Sequence, residues 1–302
     1  MCTSSSAPIS RNDSRVGTLL SLLSSSGAQQ VAQMTTAICV TGSARTVAAA
    51  CTLRRTLENI ASPLHADVFL SINVPSEELL TNVSLFINTL RTEYKIISTD
   101  IYLDRGYYAE TSACMNTIGR QQAEGMVRCM RTIQSTRQTY DVIIRTRTDL
   151  YIPFRLTSLP HHRVDVAYVG FIGNRCNDKK AWWVDDRFAI LPTRKVQEAY
   201  FYGYARDICR HTCRDGSCRA PECKLGSSLM LRNVTPIDIR PSIDDMGLQI
   251  IRSNCSRETQ RKHWIRPSDM SPLNLTTFEL DRLTTPRFGV LATKSRHRLL
   301  AT

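Results

Sequence analysis

Short apolar runs alternate with amphipathic stretches across the first third of this chain, and that alternation limits its folds more than any other feature. An apolar run over about 37–41, within "TAICVTGSART", turns at Gly42. Val47, Ala50, Leu53, Leu57, Ile60 and Leu64 then recur at helical spacing until Pro63 closes the helix. "ADVFLSI" at 66–72 reads as a second buried strand. A helix over about 76–91, with Leu79, Val83, Phe86 and Leu90 on one face, leads to the strand "YKIIS" at 94–98. Buried strands joined by helices need crossover connections, and those build parallel sheets. The expected class is therefore α/β, an open sheet flanked by helices.

The pattern continues with a long helix over about 113–138, whose apolar face holds Met115, Ile118, Met126, Cys129, Met130 and Ile133. It leads into "YDVIIRTRTDLYI" at 140–152, the fourth strand. "VDVAYVG" at 164–170, a "DDRFAI" strand, a helix over about 193–208, a further helix and the strand "PIDIR" follow. The expected division is a Ser-rich leader at 1–33, a folded domain at 34–251 with a Cys-rich insert at 209–223, and an extension at 252–302. The last 19 residues of that extension form a basic tail. No run approaches the ~18–20 apolar residues that span a bilayer. The best, "GTLLSLLSSSGA" at 17–28, is short and broken by serines.

A net charge of +12 over 302 residues favours anionic partners such as nucleotides, nucleic acid or a membrane surface. Solvated arginines on an ordinary basic protein account for it equally well. Eleven cysteines are too few for a small disulfide scaffold. Cys209, Cys213, Cys218 and Cys223 cluster around His211, but their gaps of three, four and four residues do not match C-x2-C zinc knuckles. Loop disulfides, free thiols and a zinc module all stay open. Five N-x-S/T sequons, at Asn12, Asn82, Asn233, Asn254 and Asn274, suit a secretory lumen, although so Ser/Thr-rich a chain yields several by chance. The compartment is the secretory-pathway lumen if an anchor precedes this chain, and otherwise the cytoplasm.

Residues two apart on a strand share a face, so Arg145, Arg147 and Asp149 are expected to point the same way. Ligands of open α/β sheets sit beyond the carboxyl ends of the strands. Gly42, Ser43 and Arg45 fall at one such end and the Arg-Arg-Asp set at another. Arginine pairs with a diphosphate at two points, and glycine lets backbone N–H groups approach it. Asp149 is the best-placed hard-oxygen ligand for a divalent cation, unless the arginines neutralise the phosphate themselves. An ordinary Arg145–Asp149 ion pair ending the strand is the plainer explanation.

In "WWVDDRFAI" at 182–190, adjacent aromatics offer a stacking platform, and Asp186 is the candidate for accepting a proton from an attacking hydroxyl. Two core tryptophans and a solvated acidic turn explain the same letters. Glu222 in "APECKLGSSLML" falls in the first turn of a helix, where the dipole alone favours it, or where it binds acceptor hydroxyls. His263 in "RKHWIRP" is a candidate third metal ligand, or a structural histidine beside Trp264.

Taken in order, these motifs resemble a loosely related group of GT-A-like glycosyltransferases that includes capsular-polysaccharide-type members. The matching residues are Gly42, Arg45 and Thr46 of a G-x-x-R-T turn and the strand Ala66 to Phe69. Gln121 or Gln122 follows on a helix, then Tyr140, Asp141, Arg145, Arg147, Asp149 and Leu150 of an R-x-R-x-D strand. Asp186, Arg187 and Phe188 of "DRF" and Pro221 and Glu222 of "PE" complete the series. The resemblance covers about 36–240. It implies a GT-A-like, Rossmann-type open mixed sheet and transfer of a sugar from a nucleotide diphosphate to a hydroxyl or glycan acceptor, with Mn2+ or Mg2+ as a possible cofactor. On that reading Gly42, Arg45, Thr46, Gln122, Arg145, Arg147 and Asp149 bind the donor. Trp183 and Glu222 meet the acceptor, Asp186 is the base, and Asp149 with His263 holds a metal. Arg147 stands where the first carboxylate of a D-x-D motif would be, which weakens the case for metal. The other readings are a basic nucleic-acid-binding protein with a Cys-cluster zinc module, and an inactive glycan-binding member of the same fold.

Overall fold

The computed structural model describes residues 34–44, 51–104, 117–152, 154–160, 163–170, 172–175, 182–207, 220–239, 249–250 and 272–274. The expected leader at 1–33, most of the extension at 252–302, and Cys209, His211, Cys213 and Cys218 lie outside the described residues.

Strand β1 (Thr36–Ser43) leads to helix α1, which runs Cys51–Thr56, widens through a π-turn at Leu57–Ala61 and ends at Ser62–Leu64. His65 closes α1 in the left-handed conformation at φ 49°. Pro63 sits inside the last turn, one step earlier than the stop it was expected to impose. Then come β2 (Asp67–Val74), α2 (Glu77–Arg91) and β3 (Ile96–Leu103). Ser76 caps α2 by accepting the Leu79 N–H, and Glu77 and Glu78 face the positive end of the helix dipole.

Helix α3 (Thr117–Ser135) precedes β4 (Val142–Arg147), a two-residue strand β5 (Leu150–Tyr151) and β6 (Arg155–Ser158). β7 (Val166–Val169) is followed by a hairpin of β8 (Ile172–Arg175) and β9 (Trp182–Val184), and then by β10 (Ala189–Leu191). Helix α4 runs Arg194–Glu198, through a π-turn at Ala199–Gly203, to Tyr204–Asp207. Helix α5 (Pro221–Leu231), β11 (Thr235–Asp238), β12 (Gln249–Ile250) and β13 (Pro272–Asn274) complete the described elements.

Seven of these strands form a mixed sheet in the order β11-β7-β10-β4-β1-β2-β3. β3, β2, β1 and β4 run parallel, as the strand–helix alternation required. β10 runs antiparallel between β4 and β7, and β11 is parallel to β7. The chain therefore fills the sheet outward from β1 to β3, then returns to the other side of β1 to place β4.

Strand alternation sends side chains to two separate cores. Val40, Leu70, Val142 and Ile144 pack on one face with Leu53, Leu57 and Ile60 of α1 and Val83, Ile87 and Leu90 of α2. Ala37, Cys39, Phe69 and Ile143 pack on the other with Met126, Cys129, Met130 and Ile133 of α3 and with Tyr200, Phe201 and Tyr204 of α4. Each fully buried Ile or Leu contributes roughly 1.5–3 kcal/mol, which explains why the apolar runs read so clearly as strands. Cys39 of β1 and Cys129 of α3 form a disulfide across that second core. Cys223 of the expected cluster is also disulfide-bonded.

Candidate functional site

Strand order reverses between β1 and β4, and the crevice beyond the carboxyl ends at such a point is where open α/β sheets take ligands. A cavity of about 260 Å³ opens there. Its walls are Thr41, Gly42 and Ser43 from the end of β1, Asn73 from β2, and Tyr102 with Asp104 from the end of β3. Gln121 and Gln122 of α3 and Arg145, Arg147 and Asp149 from the end of β4 complete it.

Arg145 and Arg147 share the α3-side face of β4, as strand periodicity requires, but their surroundings separate them. Arg145 is wholly buried. Its Nη1 donates to the Arg187 carbonyl at 3.0 Å and its Nη2 to Thr41 Oγ1 at 3.0 Å, while Nε has no partner. Burial pushes its guanidinium below the ordinary arginine value, against the pull of Asp186 and Asp149. Arg145 therefore cross-links β4, β1 and the chain entering β10.

Arg147 faces the cavity and grips Asp149 at two points, Nε to Oδ1 at 2.7 Å and Nη2 to Oδ2 at 2.7 Å. Its Nη1 stands 3.6 Å from Asp186 Oδ2. Burial alone would lower Arg147, but the Asp149 hydrogen bonds and the charge of Asp186 reverse the balance and raise it. The ion pair at this strand end thus joins Arg147 to Asp149, where Arg145 to Asp149 was the expected pairing.

The Asp185-Asp186 turn is buried, each residue 3% exposed, so it is not a solvated acidic turn. Burial raises the Asp185 carboxyl above the ordinary aspartate value, although Arg187 Nε donates to its Oδ1 at 2.6 Å and opposes that shift. The second oxygens of both aspartates, Asp185 Oδ2 and Asp186 Oδ2, lack a hydrogen-bond partner. Asp186 is brought to Arg147 at the carboxyl end of β4, just outside the cavity lining.

Gly42 also serves the fold itself. Its φ is +152°, and a Cβ there would lie 2.2 Å from Thr148 Oγ1. Thr148 in turn donates its backbone N–H to the Thr41 carbonyl at 3.1 Å and its Oγ1 to the Ser43 carbonyl at 3.3 Å. Gly42 makes room for that turn, and the turn places Asp149.

Gln122 lines the cavity with a buried Oε1 that has no partner. Trp183 is 40% exposed on β9, while Trp182, pointing the opposite way along the strand, packs inward, so one tryptophan and not two offers a platform. Glu222 stands in the first turn of α5 as expected. Both Asp186 and Glu222 act electrostatically on Tyr204, although burial is the main reason its hydroxyl is pushed up. Trp183, Glu222 and Asp186 are not among the cavity's lining residues. Arg45, Thr46 and His263 lie outside the described residues.

A metal needs several hard oxygens. Among the described residues no three His, Cys, Asp or Glu side chains gather as such a set. Both oxygens of Asp149 accept from Arg147, so a cation there would share a carboxylate that already carries two charge-assisted hydrogen bonds.

Asn73, Tyr102 and Asp104 escaped the sequence reading. The signal for them was position: Asn73 lies at the carboxyl end of β2, and Tyr102 and Asp104 at that of β3, both strands parallel to β1. The apolar run "YKIIS" predicts a strand ending at Ser98, whereas β3 runs five residues further, through "TDIYL". Its mixed polar and apolar letters belong to a half-exposed edge strand. Also among the described residues, no helix is long and apolar enough to cross a membrane.

No protein-family model matches the chain, and no curated protein matches it.

Proposed function

We propose that this chain transfers a sugar from a nucleotide diphosphate donor to a hydroxyl acceptor, on a GT-A-like version of its mixed α/β sheet. The observation that carries the reading is the cavity at the strand-order reversal, with Arg147 in its wall and the β1 turn beside it. In this reading Arg147 takes the diphosphate, since Arg145 is committed to the protein interior. Asn73, Asp104 and Gln122 supply hydrogen-bonding groups for the ribose and base. The leaving diphosphate is neutralised by guanidinium groups, with Mn2+ or Mg2+ as an optional addition at Asp149. Asp186, whose Oδ2 is ion-paired with Arg147 but accepts no hydrogen bond, is the proposed base toward the acceptor, and Trp183 and Glu222 are the proposed acceptor contacts.

The testing experiment is thermal-shift screening against UDP-, GDP- and CMP-sugars with and without Mn2+. Stabilisation by at least one of them is expected; stabilisation by none overturns the reading. Removing a general base typically costs 10²–10⁴-fold in turnover. Asp186→Asn is therefore expected to lose roughly a hundredfold or more of transfer activity with donor binding retained, and full turnover in that variant would remove Asp186 from the mechanism.

A second reading, binding of a nucleotide sugar or glycan without transfer, has one observation in its favour. Arg147 with Asp149 and Arg187 with Asp185 already satisfy one another, leaving few free charges for catalysis. Transfer assays with whichever nucleotide sugar stabilises the fold separate the two.

A further inference from the structure

The two-point grip of Arg147 on Asp149 has the geometry that an arginine offers to a phosphate, with two parallel N–H···O bonds at 2.7 Å. Both side chains belong to the cavity wall and are nearly closed to solvent, at 16% and 7% exposure. Arg145 cannot take over the task, because both of its terminal nitrogens are held at 3.0 Å by Arg187 and Thr41. The remaining terminal nitrogen of Arg147 faces Asp186 at 3.6 Å. Among the described lining residues, those charged at neutral pH are Arg145 and Arg147 against Asp104 and Asp149, a balance of two and two.

We propose that Asp149 is the resident occupant of the Arg147 fork, and that a diphosphate binds by exchanging with it. This rests on the nucleotide-sugar reading for the natural ligand, but the exchange itself concerns any diphosphate. Two phosphate oxygens take the places of Oδ1 and Oδ2 on Nε and Nη2 of Arg147. The Asp149 carboxylate swings off the fork into the cavity, and no covalent bond forms or breaks. Two consequences follow from the geometry. A weakly charged anion does not displace a carboxylate held at two points, so the site selects against adventitious anions. Asp149 is also released toward the ligand only when a diphosphate is in place, which makes it a positioning residue coupled to donor occupancy.

Titration calorimetry with inorganic pyrophosphate, UDP and GDP tests the exchange in the full chain, as wild type, Asp149→Asn, Arg147→Gln and the double variant. Freeing the Arg147 fork from its carboxylate is worth about tenfold in affinity, which is about 1.4 kcal/mol. Asp149→Asn is expected to tighten pyrophosphate binding roughly tenfold, and the gain is expected to vanish when Arg147→Gln is added. Unchanged or weaker pyrophosphate binding in Asp149→Asn overturns the exchange, as does a gain that survives in the double variant. Asp149→Ser replaces Asn if the latter does not fold, with the same two outcomes.

The outcomes also separate this proposal from the one beneath it. If pyrophosphate binding tightens while no nucleotide sugar binds either protein, the nucleotide-sugar reading falls and the exchange stands. If nucleotide sugars bind the wild type and Asp149→Asn gains nothing, the exchange falls and the reading stands.

Discussion

Gly42, at φ +152°, has no room for a side chain, because a Cβ would lie 2.2 Å from Thr148 Oγ1 and 3.3 Å from the Thr148 nitrogen. Overpacking of this kind costs about 1–3 kcal/mol, and the positive φ adds strain for any other residue. Gly42→Ala is expected to lose about 2 kcal/mol in urea denaturation. Adding Thr148→Ala is expected to recover part of that, because the hydroxyl is the nearest obstacle and the backbone conformation is not relieved. Full additivity of the two losses would show that the contact does not set the cost. At this scale the sequence made Arg145 and Arg147 look equivalent. Both alternate correctly to one face, yet one is a buried cross-link and the other a fork in the cavity wall. The difference comes from Thr41 and Arg187, residues 104 and 42 positions away from Arg145, which no local pattern connects to it.

Among the elements, the strands and helices of the β1–β4 half were legible because each carries enough apolar residues for its period to show. β9 and β12 have three and two residues, too few for any period, and tertiary pairing alone makes them strands, whereas β10 ends the expected "DDRFAI" strand and β5 is the far end of the expected strand at 140–152. The antiparallel direction of β10 was equally hidden, since a three-residue apolar run fits either direction. Helix α5 shows the same dependence on partners. Gly226, in mid-helix where glycine costs stability, is there because a Cβ would lie 1.9 Å from the Trp182 carbonyl of β9. Gly226→Ala is expected to push α5 off the β8–β9 hairpin and lose about 3 kcal/mol, at the upper end of overpacking. Urea denaturation followed by tryptophan fluorescence checks it, and a stability within 0.5 kcal/mol of wild type, as at an unconstrained surface position, would contradict the close approach.

For the molecule as a whole, burial raises Tyr168, Tyr200 and Tyr204 above the ordinary tyrosine value. A group raised in the folded state keeps its proton there after the unfolded chain has lost it. Stability is therefore fully present below the unfolded value, near pH 10, and falls as pH rises toward the higher folded value. Each such tyrosine steepens the alkaline loss by up to about 1.4 kcal/mol per pH unit. Tyr200→Phe with Tyr204→Phe is expected to flatten the fall between about pH 10 and 11.5 relative to wild type. Identical slopes would mean that both hydroxyls are titrated in the folded protein. The sequence by itself determined the class of this protein: apolar runs alternating with amphipathic helices bury their surface as an α/β sheet, with polar residues at its strand ends. The tertiary structure alone decided which of those groups face the cavity and which are spent on the interior. It also tied Arg145 to Thr41 and Arg187, because hydrogen-bond partners far apart in sequence become neighbours only when β1, β4 and the chain entering β10 lie side by side.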